Sequence, residues 1–166
     1  MKVLSILFFF LISVNSFAAS KKYSISCKGD DCFTDGWFMQ EMGGFYFLNN
    51  NCKSGDCENI GWSSIDSKGD TFDVTCLPGG CFYEGWKSVN KAGNKVLKDE
   101  VKCKLNSCLT YGWTVKTGYD LSGGNVSCIN DDCSRFGGTA VWRGKISRTA
   151  CKNDDCYRYG WNLTIY

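Results

Sequence analysis

Residues 151–161 read CKNDDCYRYGW, and the frame beneath that string is two cysteines around a four-residue spacer, three further residues, then Gly160 and Trp161. The same frame appears at Cys27/Cys32 with Gly36-Trp37, Cys52/Cys57 with Gly61-Trp62, Cys76/Cys81 with Gly85-Trp86, and Cys103/Cys108 with Gly112-Trp113. A further copy, Cys128/Cys133, has Gly137 followed by Gly138 where the others have Trp, and Trp142 stands four places later. These six pairs account for all 12 cysteines, and successive first cysteines lie 23 to 27 residues apart. A local pair restarted at a nearly fixed period is the mark of a repeat architecture.

The spacers are built from Gly, Asn, Asp, Ser and Pro78 among a few larger residues. Such residues accept turn dihedrals or hydrogen-bond to nearby backbone. Ahead of each turn the pattern alternates: Ile25, Val74, Val101 and Val126 lie two before a first cysteine and so on its face of a strand, while Ser26, Thr75, Lys102 and Ser127 point the other way. Each unit is therefore predicted to be a β-hairpin whose cysteines face one another across the turn. After the second cysteine, continued alternation places Phe33 and Trp37, Phe82 and Trp86, or Tyr157, Tyr159 and Trp161 on one aromatic face.

The preferred connectivity is a bridge inside each hairpin, because cross-strand neighbours have Cβ atoms about 4.5 to 5.5 Å apart. Linkage of one unit's second cysteine to the next unit's first is the alternative, and spacing does not choose between them. A closed loop of this size contributes about 2 kcal/mol in the loop-entropy account. The expected fold is thus all-β: six disulfide-stapled hairpin repeats of about 25 residues, forming one solenoid-like or closed meander domain. A trefoil ranks below these, since alternate units show no doubled period.

A secretory leader is read over residues 1–18, from Lys2, the apolar run Val3 to Val14 and the small residues Ser16, Ala18 and Ala19. The β-hairpin domain then spans residues 19–166, with no transmembrane segment after leader removal. The expected location is secreted or periplasmic, where twelve cysteines oxidise. The chain has no histidine, which leaves only all-cysteine zinc sites in an oxidising compartment; no metal and no cofactor are expected. Nineteen basic and 17 acidic residues give a net charge of +2 with signs scattered along the chain, so no nucleic-acid partner is expected.

The two-stranded unit with a turn such as Cys52-KSGD-Cys57 and a nearby glycine resembles the hairpin unit of MORN repeats. The resemblance implies an elongated hairpin scaffold used for protein or lipid contact rather than catalysis, and it carries no site residue over.

The absence of histidine also removes the commonest general base and the Ser/His/Asp and Cys/His triads, so no enzyme is expected. The expected function is a non-enzymatic repeat scaffold or binding protein that presents a β surface to a protein or glycan partner. A lectin-like module using exposed Trp and Tyr is one alternative, and a hydrolase with a carboxylate site is another. Tryptophans shared by five units read first as a packed layer. The broken fifth unit, with Arg135, Trp142 and Arg143, is the expected place for a specialised ligand site. The acid pairs Asp30-Asp31, Asp131-Asp132 and Asp154-Asp155 read as turn residues ahead of calcium ligands. Asn125-Val126-Ser127 and Asn162-Leu163-Thr164 match glycosylation acceptors.

Overall fold

Alternating apolar residues make strands that need one face covered, and this chain covers those faces by curling them inward. The computed structural model describes residues 20–117, 120–142 and 144–166. The leader expected over residues 1–18 lies outside the described residues. Those residues form twelve strands: β1 (Lys21–Cys27), β2 (Trp37–Glu41), β3 (Phe47–Cys52), β4 (Trp62–Asp66), β5 (Thr71–Cys76), β6 (Gly85–Ala92), β7 (Lys95–Cys103), β8 (Trp113–Thr117), β9 (Asp120–Cys128), β10 (Gly138–Trp142), β11 (Lys145–Cys151) and β12 (Trp161–Ile165). Each pairs antiparallel with the next, and β12 returns to pair with β1 through Tyr23/Leu163 and Ser24/Asn162. The result is a closed up-and-down barrel, the meander solution and not the open solenoid, and closure removes both sheet edges.

All 12 cysteines form bridges within their own units, from Cys27–Cys32 through Cys52–Cys57, Cys76–Cys81, Cys103–Cys108 and Cys128–Cys133 to Cys151–Cys156. Because strand direction alternates, the bridged connections after β1, β3, β5, β7, β9 and β11 all gather at one end of the barrel. The short turns gather at the other, with β6 running on to Ala92 and β7 starting at Lys95.

Two details of the expected hairpin are corrected. A first cysteine does not face its own bridge partner across the ladder; it faces the tryptophan, in the pairs Cys27/Trp37, Cys52/Trp62, Cys76/Trp86, Cys103/Trp113 and Cys151/Trp161. The second cysteine instead opens a helical turn, seen as α1 (Cys32–Asp35), α2 (Cys108–Tyr111), α3 (Cys133–Phe136) and α4 (Cys156–Tyr159). The residue before it is the N-cap: Asp31 accepts from Phe33 N at 2.7 Å, Asp132 from Arg135 N at 3.0 Å and Asp155 from Arg158 N at 3.1 Å. Helical spacing then turns the third residue outward, so Ile60, Tyr111 and Tyr159 are exposed while Phe33 and Phe82 point in.

The glycine ahead of each tryptophan ends the turn at positive φ and lies against the next unit's strand. At Gly160 a Cβ would sit 2.4 Å from the Ile25 carbonyl oxygen, and at Gly112 it would sit 2.2 Å from that of Val126. Neighbouring units also meet through sulfur. Cys52 Sγ lies 3.2 Å from the Phe33 carbonyl oxygen, Cys151 Sγ 3.2 Å from that of Ser134, and Cys27 Sγ 3.1 Å from that of Tyr157, which closes the ring from the last unit to the first.

The lumen of twelve strands is wider than the eight-stranded case that ordinary side chains just fill. Aromatic rings fill this one. Trp113, Trp86, Trp62, Trp37 and Trp161 follow one another round the wall with ring centroids 5.2 to 5.9 Å apart. Above them, at the disulfide end, Phe33 meets Phe82 at 4.7 Å and Tyr157 at 4.6 Å, edge to face. Ile25, Val74 and Val101, the positions predicted to share the first cysteine's face, are buried below. Each such aliphatic side chain contributes about 1.5 to 3 kcal/mol when fully covered.

The outer wall is mixed: Lys22, Lys87, Lys102, Lys116 and Arg148 are exposed on it, and so are Phe38, Ile65, Val141 and Ile146. Among the described residues, no helix is long and apolar enough to cross a membrane.

Candidate functional sites on the wall and in the lumen

Scattered in sequence, the lysines of residues 87–116 are gathered by strand parity. Trp86, Val101 and Trp113 face the lumen, so Lys87 and Lys91 on β6, Lys98 and Lys102 on β7 and Lys116 on β8 face out. All five are exposed. Glu100 stands in their midst, opposite Lys87 on one side and Lys116 on the other, and its Oε1 lies 3.4 Å from Lys102 Nζ. One carboxylate among five ammonium groups leaves this wall strongly positive. Reading the chain as evenly mixed in sign missed it; the signal was present in the period-two spacing of Lys87/Lys91 and Lys98/Lys102.

A second feature lies inside, at the fifth unit. Gly138 pairs with Cys128 at the register where the other units place tryptophan. The arc of rings is interrupted there, between Trp113 and Trp161. The layer above is thin at the same place, because Ser134 occupies the position held by Phe33, Phe82, Leu109 and Tyr157 in four other units and by Glu58 in the second. A cavity of about 250 Å³ opens into this gap, bounded here by Ser134, Gly138, Ala140, Trp113, Trp161 and Tyr157 and reaching Trp37, Trp62 and Trp86 across the lumen. Burial, with the nearby Glu58 carboxylate adding to it, pushes the Tyr157 phenol well above its ordinary range.

The residues expected to form a ligand site in this unit are not brought together. Arg135 is on the exposed side of α3, with its guanidinium 5.4 Å from the Phe136 ring centroid. Trp142 ends β10, roughly 13 Å along the strand from Gly138 at standard rise. Its ring lies over Gly124, where a Cβ would come within 2.4 Å of Trp142 Cε3. Arg143 lies outside the described residues.

The tryptophans face the lumen and form no ladder on the outer wall, with Trp37 buried. The acid pairs serve as caps: besides Asp31, Asp132 and Asp155, Asp56 accepts from Asn59 N at 2.8 Å, and the hydrogen bonds from Asn59 hold its carboxyl below the ordinary range. The glycosylation acceptors Asn125 and Asn162 are exposed on strands. At the mouth opposite the disulfides, Tyr23, Glu41, Tyr46 and Lys21 border a second cavity of about 450 Å³. Burial, helped by the Asp66 carboxylate, pushes the Tyr46 phenol up to about 12. Comparison with models of protein families, with curated proteins and with solved structures gives no match.

Proposed function

We propose that this chain is a secreted or periplasmic, non-enzymatic barrel that holds an acidic polysaccharide on the outer wall of β6–β8. The observation that carries the reading is the lysine array around Glu100. Ammonium groups on flexible stems suit a repeating polyanion, whereas protein hot spots favour Trp, Tyr and Arg, none of which projects from these strands' outer face. Six bridges suit an oxidising compartment, and the resemblance to MORN-type repeats points to a scaffold.

Calorimetric titration with polygalacturonate tests it. Binding is expected at low salt, weakening as ionic strength rises because exposed charges are screened beyond about 10 Å at 0.1 M. The combined charge reversal Lys87→Glu, Lys98→Glu and Lys116→Glu is expected to weaken binding at least tenfold, about 1.4 kcal/mol. Equal binding by that variant, or equal binding of neutral dextran, overturns the reading. Preference for poly-glutamate over the polysaccharide moves the partner from glycan to acidic protein.

A further inference from the structure

The fifth unit departs from the repeat twice, and both departures open the same space. Ser134 shortens the upper layer and Gly138 removes a ring from the tryptophan arc, while Ala140, next along the inward face of β10, adds only a methyl group. The walls that remain are Trp113, Trp161 and Tyr157, with Thr149 opposite Gly138 and apolar neighbours. At about 250 Å³, counted from unit five across the lumen to Trp37, Trp62 and Trp86, the cavity exceeds the roughly 150 Å³ apolar cavity that accepts benzene.

Its chemistry selects against charge, and its walls are mostly aromatic. The Ser134 hydroxyl donates to Asp132 Oδ1 at 2.6 Å, Thr149 and Tyr157 bring the other side-chain hydroxyls, and no acidic or basic side chain lines the space. Within this lumen most rings pack on one another edge to face or tilted, at centroid distances from 4.6 to 5.9 Å, while Phe33 stacks on Trp161 at 6.5 Å. Each such contact is worth about 0.5 to 1.5 kcal/mol beyond its buried area. A flat ring entering at the fifth unit would join Trp113 to Trp161 and complete the interrupted arc.

We infer that the lumen at unit five is a binding site for a neutral, planar aromatic molecule of one or two rings. The site is separate from the lysine wall because it faces inward: Trp113 and Lys116 point to opposite faces of β8. The inference stands or falls independently of polysaccharide binding.

Indole is the test ligand, titrated into the oxidised, isotope-labelled protein and followed by amide chemical shifts. Saturable shifts are expected at Gly137, Gly138 and Ala140, with dissociation tighter than about 1 mM. Ser134→Phe, which copies the first and third units, and Ala140→Leu each fill the space and are expected to weaken binding at least tenfold. Two variants from different walls guard against one failing to fold. Gly138→Trp is the poorer choice, since a Cβ there would lie 2.8 Å from the Ser127 carbonyl oxygen. Lys98→Glu is expected to leave indole binding unchanged. Absence of saturable binding, shifts confined to another region, or undiminished binding in a folded filled variant overturns the inference. Hexanol binding as tightly as indole overturns its planar-ring specificity.

Discussion

Gly138 stands opposite Cys128 in the ladder, at the register where Trp37, Trp62, Trp86, Trp113 and Trp161 stand opposite Cys27, Cys52, Cys76, Cys103 and Cys151. The tryptophan of that strand is instead Trp142, at its far end and over Gly124. Displacement along the strand thus keeps the ring inside the barrel while opening the disulfide end.

Gly124 and Trp142 should therefore be coupled. Gly124→Ala places a methyl group 2.4 Å from Trp142 Cε3 and is expected to destabilise the protein by about 1 to 3 kcal/mol, as overpacking does. In Trp142→Leu, the same Gly124→Ala change should cost much less. Denaturant unfolding of the four-member cycle measures this, and additive losses would show that the two residues do not touch.

Glycines at the ends of the helical turns differ from those in the opposite turns. Gly160→Ala meets both a φ of 74° and the Ile25 carbonyl oxygen, so a loss of more than about 2 kcal/mol is expected. Gly43 has a φ of 80° but nothing within 4 Å of a Cβ. Gly43→Ala should lose only about 1 to 2 kcal/mol, the backbone term alone. Equal losses in urea unfolding would mean that the close approach between units contributes nothing.

Leu105 offers a gain. It is 80% exposed with a φ of 47°, at the spacer position where Asn130 and Asn153 take the same left-handed conformation without that cost. Leu105→Asn is expected to raise stability by about 0.5 to 1 kcal/mol, visible as a higher unfolding midpoint with unchanged slope. A lower midpoint would contradict the assigned backbone conformation.

Much of this arrangement was legible in the chain. The pairing of cysteines within units was the preferred of two connectivities that the spacing allowed, and Ile25, Val74 and Val101 were placed on the cysteine face because strand alternation leaves few other choices. The helical turns were hidden because four residues are too few to separate a period of 3.6 from a period of 2, and positions one and five after the second cysteine point inward under either. Asp31, Asp132 and Asp155 were cap signals that also read as turn residues. The lysine wall and the gap at unit five depend on strands brought side by side, so neither shows in any single window of sequence.

Alkaline titration should reveal the buried phenols. Tyr46 is pushed up to about 12 from an ordinary value of 10.0, and Tyr157 is pushed in the same direction. Below pH 10.0 the phenol is protonated in both folded and unfolded chains, and its contribution to stability is fully present. Above that point the unfolded chain loses the proton first, so stability falls as pH rises until Tyr46 itself ionises. Tyr46→Phe should flatten this fall. Tyrosine absorbance showing all phenols ionising together at the ordinary value would contradict the placement of both residues.

Inside and outside exist in this chain only because β12 returns to β1. The direct measurement is the set of proton–proton contacts across that seam in the oxidised protein by nuclear magnetic resonance. Cross-strand contacts at Tyr23/Leu163 and Ser24/Asn162, together with slow amide exchange along both strands, are the predicted result. Contacts between all consecutive strands but none across β1 and β12 would leave an open array of hairpins, with neither a lumen nor a closed wall.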